Sequence, residues 1–300
     1  MKASELRLTD GNRGAVRLAD GVTLQYREAG PPDAPALLLL HGLSDSWFSF
    51  SRVLDELAEC CHVIAPDQRG QGASERPLAG YAMHELAGDA VGILDALGID
   101  RAIVVGHSTG SFVAQHVAAH FPDRASGLVL VGSALVPGNA VIRELAAAVD
   151  ELPDRLPEAF VRDFQLSTVC RPVPEEFLAS AIATSHRMPR RVWQALIAGM
   201  LADTGEHASR IHAPTLLVWG DRDAVFSRSE QDALLAAIDG ARLEVFNGTG
   251  HAPHWEEPAR FIRTVAEFAR AVSAASGIHS AEDPIIVRSR PESRSDSTRG

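Results

Sequence analysis

The sequence predicts an α/β protein with a doubly wound, mostly parallel sheet. Six short apolar runs, each bounded by Gly, Pro or Asp, are typical of strands that are buried on both faces. These runs cover residues 36–40, 63–65, 103–105, 128–131, 216–219 and 243–246. Helical patterns lie between several runs, and strands that alternate with helices form parallel sheets through right-handed crossovers. The length of 300 residues and the apolar content of 46% are sufficient for one large domain with a modest insertion.

The beginning of the chain and two helices can also be predicted. Two β-like stretches flank Asp20-Gly21, which is a hairpin signal. Residues 22–27 alternate apolar and polar side chains, as a half-solvated antiparallel strand does. Apolar positions share one helical face over residues 86–97 and again over residues 261–272. We therefore expect an antiparallel hairpin that leads into a parallel sheet covered by helices.

One long segment interrupts the alternation of strands and helices. From 135 to 212 the sequence shows helical spacing, repeated prolines and no strand pattern, which predicts an inserted helical cap. The core is therefore expected in two parts, residues 1–134 and 213–276, on either side of a cap at 135–212. Residues 277–300 are rich in Ser, Arg, Asp, Glu and Pro, a composition that predicts a disordered tail.

Charge and composition exclude several classes of partner. A net charge of −11 argues against nucleic acid and against an anionic membrane surface. The longest apolar run, at 36–40, is too short to cross a bilayer, and the first residues lack the apolar region of a signal peptide. Three cysteines, two of them adjacent, indicate reduced thiols and a cytoplasmic protein. The expected partner is a small-molecule substrate, and a homodimer is left open.

A serine in a predicted strand-to-helix turn is the first candidate for chemistry. Residues 106–110 read Gly-His-Ser-Thr-Gly, follow the apolar run 103–105 and precede a helix-compatible stretch. In this context Ser108 is expected in a strained turn at the end of a strand. The two glycines are needed because a side chain would clash where the strand and the helix cross. The positive end of the helix would face negative charge that develops on a substrate.

A serine nucleophile requires a base and an acid that orients the base. Among twelve histidines, His251 is the best placed, in a glycine-rich loop directly after the run 243–246. The loop after 216–219 offers two carboxylates, Asp221 and Asp223. Asp223 is the expected acid, because the chain has room to turn toward the histidine loop before it. Asp221 is expected to hold the turn by accepting backbone N–H bonds.

An oxyanion hole requires two backbone N–H donors beside the nucleophile. Thr109, directly after Ser108, can supply one of them. His41-Gly42 follows the third predicted strand, so the N–H of Leu43 is the expected second donor.

Several other residues could contact a substrate or a metal. His107, Trp193 and His254 are candidate substrate contacts, although helix-core packing is the ordinary role of a tryptophan in such a segment. His116 and His120 are spaced i, i+4 but lack the glutamate of a zincin motif. We therefore expect no metal and no organic cofactor.

In combination, these motifs resemble the successive markers of the α/β-hydrolase superfamily. The markers lie, in order, at 41–42, 67–74, 106–110, 220–223 and 250–251. The resemblance covers roughly residues 20–275 and implies an eight-stranded sheet with a helical cap and a Ser108–Asp223–His251 triad. In similar proteins the loop at 67–74 is structural, so Asp67 and Arg69 are not expected to be catalytic.

The same resemblance implies cleavage of a carboxylic ester or lactone of a small, largely apolar substrate through an acyl-enzyme. Epoxide hydrolases and haloalkane dehalogenases of this fold use an aspartate nucleophile, where this chain has Ser108. Carbon–carbon bond hydrolases usually carry a tryptophan after the histidine, where this chain has Ala252. The alternatives left open are a cofactor-free carbon–carbon hydrolase, a perhydrolase or haloperoxidase, and a small-molecule receptor that uses a hydrolase fold.

Overall fold

An eight-stranded sheet forms the centre of the protein, described here from a computed structural model over residues 13–275. The strands are β1 (Arg13–Arg17), β2 (Thr23–Ala29), β3 (Ala36–Leu40), β4 (His62–Pro66), β5 (Ala102–His107), β6 (Ala125–Val131), β7 (Thr215–Gly220) and β8 (Arg242–Phe246). Their order in the sheet is β1-β2-β4-β3-β5-β6-β7-β8. The β1–β2 and β2–β4 pairs are antiparallel, and the other neighbouring pairs are parallel. The predicted doubly wound, mostly parallel sheet is confirmed. The tail predicted at 277–300 lies outside the described residues.

Both faces of the central strands are buried, and β3 shows why its sequence is uniformly apolar. Consecutive side chains of a strand point to opposite faces of the sheet. Leu38 and Leu40 pack in one apolar core, whereas Leu37 and Leu39 pack in a second core on the other face. A strand with two buried faces therefore has no position at which a polar side chain would be solvated.

Helices cover the two faces. In chain order they are α1 (Leu54–Leu57), α2 (Met83–Leu97), α3 (Thr109–His120), α4 (Ala140–Asp150), α5 (Glu158–Ser167), α6 (Glu175–His186), α7 (Arg190–Leu201), α8 (Arg228–Ala237), α9 (Pro253–Glu256) and α10 (Pro258–Ala275). Apolar residues of α2, α3 and α8 pack in the first core, and those of α1 and α10 pack in the second. Within 13–275, no helix combines the length and the apolar character needed to cross a membrane.

The segment between β6 and β7 is built from helices. It contains α4 to α7 and a short 3-10 helix at Glu206–Arg210, with no strand between Val131 and Thr215. Buried side chains of α7, such as Trp193 and Leu196, pack in the same apolar core as α2 and α3. The apolar core on the α3 side of the sheet therefore continues into this segment.

Candidate active site

Ser108 lies in the tight turn between β5 and α3. Its φ is 50° and its ψ is −121°, a positive φ that is rare for a residue with a Cβ. Two glycines make this turn possible. A Cβ on Gly106 would lie 2.3 Å from the carbonyl oxygen of Gly110, and a Cβ on Gly110 would lie 2.2 Å from that of Leu40. The crossing of strand and helix therefore leaves no room for a side chain at either position.

The two residues expected to supply the oxyanion donors lie beside this serine. Thr109 is the first residue of α3, so its N–H has no acceptor within the helix. Leu43 belongs to the loop after β3, which contacts the turn closely, since a Cβ on Gly42 would lie 3.3 Å from the Cβ of Ser108. Leu43, Ser108 and Thr109 line the same cavity. The structure thus places Leu43 and Thr109, whose N–H groups are the candidate oxyanion donors, on the same cavity as the serine.

The loop that carries Leu43 is held by buried polar side chains. The Nε2 of His41 accepts the N–H of Gln68 at 3.0 Å, and burial lowers the pKa of His41 to about 4, so the ring is neutral. Asp67 accepts N–H bonds from two backbone amides. Arg69 donates twice to Asp89, with both N–O distances at 2.6 Å. In the structure, Asp67 and Arg69 therefore make contacts that hold loops together.

His251 and Asp223 form a buried hydrogen-bonded pair. The Nδ1 of His251 lies 2.9 Å from Oδ2 of Asp223, and the two side chains are 3% and 0% exposed. The other oxygen of Asp223 accepts the N–H groups of Val225 at 2.7 Å and Phe226 at 3.1 Å. With Nδ1–H donating to the carboxylate, Nε2 of the imidazole is the atom that can accept a proton. His251 lines the same cavity as Ser108.

Asp221, the other carboxylate of this loop, binds backbone instead. Its Oδ1 accepts the N–H of Gly248, in the loop that carries His251. The N–H of Arg222 donates to the carbonyl oxygen of Thr249 at 3.0 Å, which ties the same two loops together. The geometry therefore selects Asp223, and not Asp221, as the partner of His251.

The cavity above Ser108 is small and largely apolar. Its volume is about 140 Å³, similar to a cavity of about 150 Å³ that holds a benzene molecule. The helices between β6 and β7 supply its apolar roof: Val141, Ile142, Leu145, Phe164 and Met200. The segment that interrupts the sheet therefore shapes the space above the serine.

Of the three candidate substrate contacts, the structure places only His107 on the cavity. Burial, and then the neighbouring His254 and His251, lower the pKa of His107 well below its usual value, so it stays neutral. Trp193 and His254 do not line the cavity, and direct contact with a substrate is not supported for either. Trp193 is fully buried behind Phe164, with their ring centroids 5.0 Å apart. His254 is fully buried behind His107, with the ring centroids 4.5 Å apart.

Four polar residues of the cavity were not found from the sequence: Asp45, Gln165, Ser167 and Thr168. Asp45 is 4% exposed, and burial raises its pKa to about 7, although hydrogen bonds from Ser49 and Gln165 lower it. Gln165 is 1% exposed, and its Nε2 lies 3.4 Å from Oδ1 of Asp45. The position of Asp45, two residues after Leu43, was the one available signal. Gln165 offered none, since it reaches the cavity from α5.

One group of ligand-type side chains comes together within residues 13–275. Atoms of His116, Asp203 and His207 lie within 4.8 Å of one another, and both rings bond to the carboxylate, at 3.0 and 3.4 Å. The two rings are stacked, with centroids 3.8 Å apart. A zinc ion would lie about 2.0 Å from each nitrogen and near the plane of each ring, and stacked rings share no such point. The group instead ties α3 to the chain that follows α7.

Fold and site together define a hydrolase of the α/β class. The chain belongs to the alpha/beta hydrolase family, whose model matches residues 37–264.

Three known proteins illustrate the range of its relatives. An uncharacterized protein from Mycobacterium tuberculosis is 32% identical over 276 residues, which are 84% of this chain and 80% of that protein. The 2-hydroxymuconate semialdehyde hydrolase of Pseudomonas sp. is 30% identical over 278 residues, covering 86% of this chain and 94% of the relative. The solved structure of the esterase RhEst1 from Rhodococcus sp. ECU1013 has a TM-score of 0.76 at 27% identity and covers 87% of this chain and 100% of its own.

Proposed function

We propose that this protein cleaves a carboxylic ester or lactone of a small, largely apolar substrate through an acyl-enzyme on Ser108. The observation that carries this proposal is the convergence of Ser108 and the His251–Asp223 pair on one cavity. A strained serine, an imidazole and a buried carboxylate in this arrangement support nucleophilic attack on an acyl carbon. The likeness to the esterase RhEst1 also supports it.

Each group has one task in the proposed reaction. Oγ of Ser108 attacks the carbonyl carbon, and Nε2 of His251 takes the hydroxyl proton. The N–H groups of Leu43 and Thr109 donate to the oxyanion, and the alcohol leaves with the proton held by His251. His251 then takes a proton from the water that attacks the acyl-enzyme, and it returns this proton to Oγ of Ser108 as the acid leaves. Asp223 keeps Nδ1 protonated throughout, so that Nε2 remains the basic nitrogen.

We further propose that residues 135–212 act as a lid that limits substrate size. Apolar side chains of α4, α5 and α7 face Ser108 across the cavity. A space of about 140 Å³ admits one small acyl or alcohol group beyond the carbonyl.

A carbon–carbon bond hydrolase is the second candidate, because one relative is named for such a substrate. Two observations favour ester cleavage over it. Ala252 follows the histidine, where carbon–carbon hydrolases usually carry a tryptophan. The named semialdehyde substrate also carries a carboxylate, and among the described residues that line the cavity none is Lys or Arg.

The test is hydrolysis of 4-nitrophenyl acetate and butyrate by the wild type and by Ser108→Ala. We expect turnover by the wild type and its loss in the variant, with unchanged melting temperature. Absence of both a burst and turnover in the wild type would favour the receptor alternative. If the wild type cleaves a dienoate formed by opening of an aromatic ring but hydrolyses no ester, the carbon–carbon bond hydrolase would be favoured.

A further inference from the structure

Asp45 is a buried acidic group for which the proposed reaction has no task. Among the described residues that line the cavity, it is the only carboxylate. It is 4% exposed and lies in the loop after β3, two residues beyond Leu43. Its remaining exposed surface is therefore available to a molecule in the cavity.

The protein groups that bond to Asp45 are neutral. Gln165 approaches Oδ1 with its amide nitrogen at 3.4 Å, and the hydroxyl of Ser49 forms the second hydrogen bond. Gln165 is shared, since the same nitrogen donates to Ser185 at 2.7 Å. Both bonds leave the carboxylate without a positively charged partner.

The charged and titratable groups around this part of the cavity also provide no positively charged partner for Asp45. His107 lines the cavity, and burial keeps its pKa well below the usual value. His254 lies behind Ser49, at 3.3 Å from the hydroxyl, and burial lowers its pKa to about 3. Arg52 donates to the carbonyl oxygen of Trp255. His251 lines the cavity as well, but its Nδ1 is bonded to Asp223.

We propose that Asp45 determines substrate specificity by binding a hydrogen-bond donor on the substrate, a hydroxyl or a protonated amine, away from the scissile carbonyl. The inference rests on the proposed function, since it places an ester in the cavity with its carbonyl at Ser108. A buried carboxylate accepts strong, charge-assisted hydrogen bonds. A site with such an acceptor also rejects an analogue that lacks the donor, because the acceptor is then left unpaired.

The position of Asp45 fits this role. The roof of the cavity is apolar at Ile142, Leu145 and Phe164. A donor group on the substrate would find no charged acceptor in that roof, whereas Asp45 and Gln165 form a polar region of the wall. Burial raises the pKa of Asp45 to about 7, so its side chain loses the proton near neutral pH. A hydrogen-bond donor on the substrate favours this ionised form.

The experiment uses ester pairs that differ only in the donor. For a hydroxyl, 3-hydroxypropyl acetate is compared with butyl acetate, and methyl 3-hydroxybutanoate with methyl 3-methylbutanoate. For an amine, 2-(dimethylamino)ethyl acetate is compared with 3-methylbutyl acetate, and methyl 3-(dimethylamino)propanoate with methyl 4-methylpentanoate. In each comparison one ester has the donor on the alcohol and the other has it on the acyl group, so both binding directions are sampled.

The measured quantity is the ratio of kcat/KM for the donor ester to that for its partner. We expect the wild type to prefer the donor ester in at least one pair, and Asp45→Asn to reduce that ratio by about tenfold or more, the size of a hydrogen bond to a charged group. Asp55→Asn, the same substitution at an exposed position of α1, is the matched control and should leave the ratio unchanged. The pair that responds identifies the donor as a hydroxyl or an amine.

A ratio that is the same in wild type and Asp45→Asn for every pair would overturn the inference. A purely structural role of Asp45 would lower kcat/KM for both members of a pair and leave their ratio unchanged, which counts as the same refutation. If Asp45→Asn does not fold, the wild-type ratio is measured from about pH 6 to about pH 8, across the pKa of Asp45. Effects of pH on the shared ester chemistry cancel in the ratio, so a ratio that rises with pH supports the inference and a flat ratio overturns it. Failure of the wild type to hydrolyse any ester, neutral ones included, would instead refute the proposed function.

Discussion

Replacing Asp223 by Asn changes one oxygen of the buried pair to an amide nitrogen. Oδ1 of Asp223 accepts two backbone N–H groups, from Val225 and Phe226, and an amide nitrogen cannot take that place. The amide oxygen of the variant must therefore remain at Oδ1, and its NH₂ group must face Nδ1 of His251. Nδ1 then has to accept, so the ring proton moves to Nε2, and the base can no longer take the proton of Ser108.

The expected loss in kcat is about 10⁴-fold, the cost of the wrong tautomer in a triad. The fold should be kept, since the backbone bonds at Oδ1 survive, and the free energy of unfolding should fall by about 1 kcal/mol. Steady-state hydrolysis of 4-nitrophenyl butyrate and thermal unfolding measure the two effects. Asp221→Asn is the matched control, and its kcat should stay within about threefold of the wild type, because Asp221 bonds only to backbone N–H. An active Asp223→Asn beside an inactive, folded Asp221→Asn would refute the assignment.

Packing and charge lead to three further expectations. Gly106→Ala should lower the free energy of unfolding by about 3 kcal/mol or prevent folding, because its Cβ would lie 2.3 Å from the carbonyl oxygen of Gly110. Gly88→Ala, in α2 with open space around it, should raise the free energy of unfolding by about 0.5 kcal/mol. Denaturant titrations that give the same free energy of unfolding for both variants would contradict the packing argument. Burial raises the pKa of Asp203, but hydrogen bonds from two histidines outweigh that effect and bring it below 3.8. The Asp203 carboxylate therefore stabilises the folded protein above pH 3.8, and this stabilisation is lost as the pH falls through the lowered pKa. Asp203→Asn should cost about 2 kcal/mol at neutral pH, and less in acid; a deficit independent of pH would exclude this linkage. Phe164→Ala should shift the kcat/KM maximum toward longer chains in a series from acetate to octanoate esters, because it enlarges the roof of the cavity; an unchanged series would argue against the lid.

The sheet could be predicted because its strands are buried on both faces. The run at 36–40 has the bounds of β3, since each of its side chains must be apolar whichever face it points to. The turn at Ser108 could be predicted for a similar reason. Steric crowding admits only glycine at 106 and 110, so the turn can be found from five consecutive residues of the sequence.

The polar part of the cavity could not be predicted in this way. Asp45 and Gln165 meet only after α5 packs over the loop that follows β3, and no local pattern encodes that contact. Trp193 was a candidate substrate contact but is buried in the core. The sequence could not distinguish these roles, because a large apolar residue of a helix gives the same pattern whether it faces a cavity or a core. His116 and Asp203, 87 residues apart, likewise form a pair that only the tertiary structure reveals.

In the proposed reaction, Ser108 carries the acyl group of the substrate during turnover. Mass spectrometry of the protein, quenched during hydrolysis of 4-nitrophenyl butyrate and digested to peptides, tests this claim most directly. We expect a butyryl group on the peptide that contains Ser108, formed at the rate of the nitrophenol burst and absent from Ser108→Ala. Hydrolysis that proceeds at the wild-type rate in Ser108→Ala, or a butyryl group that turns over on another residue, would contradict the account.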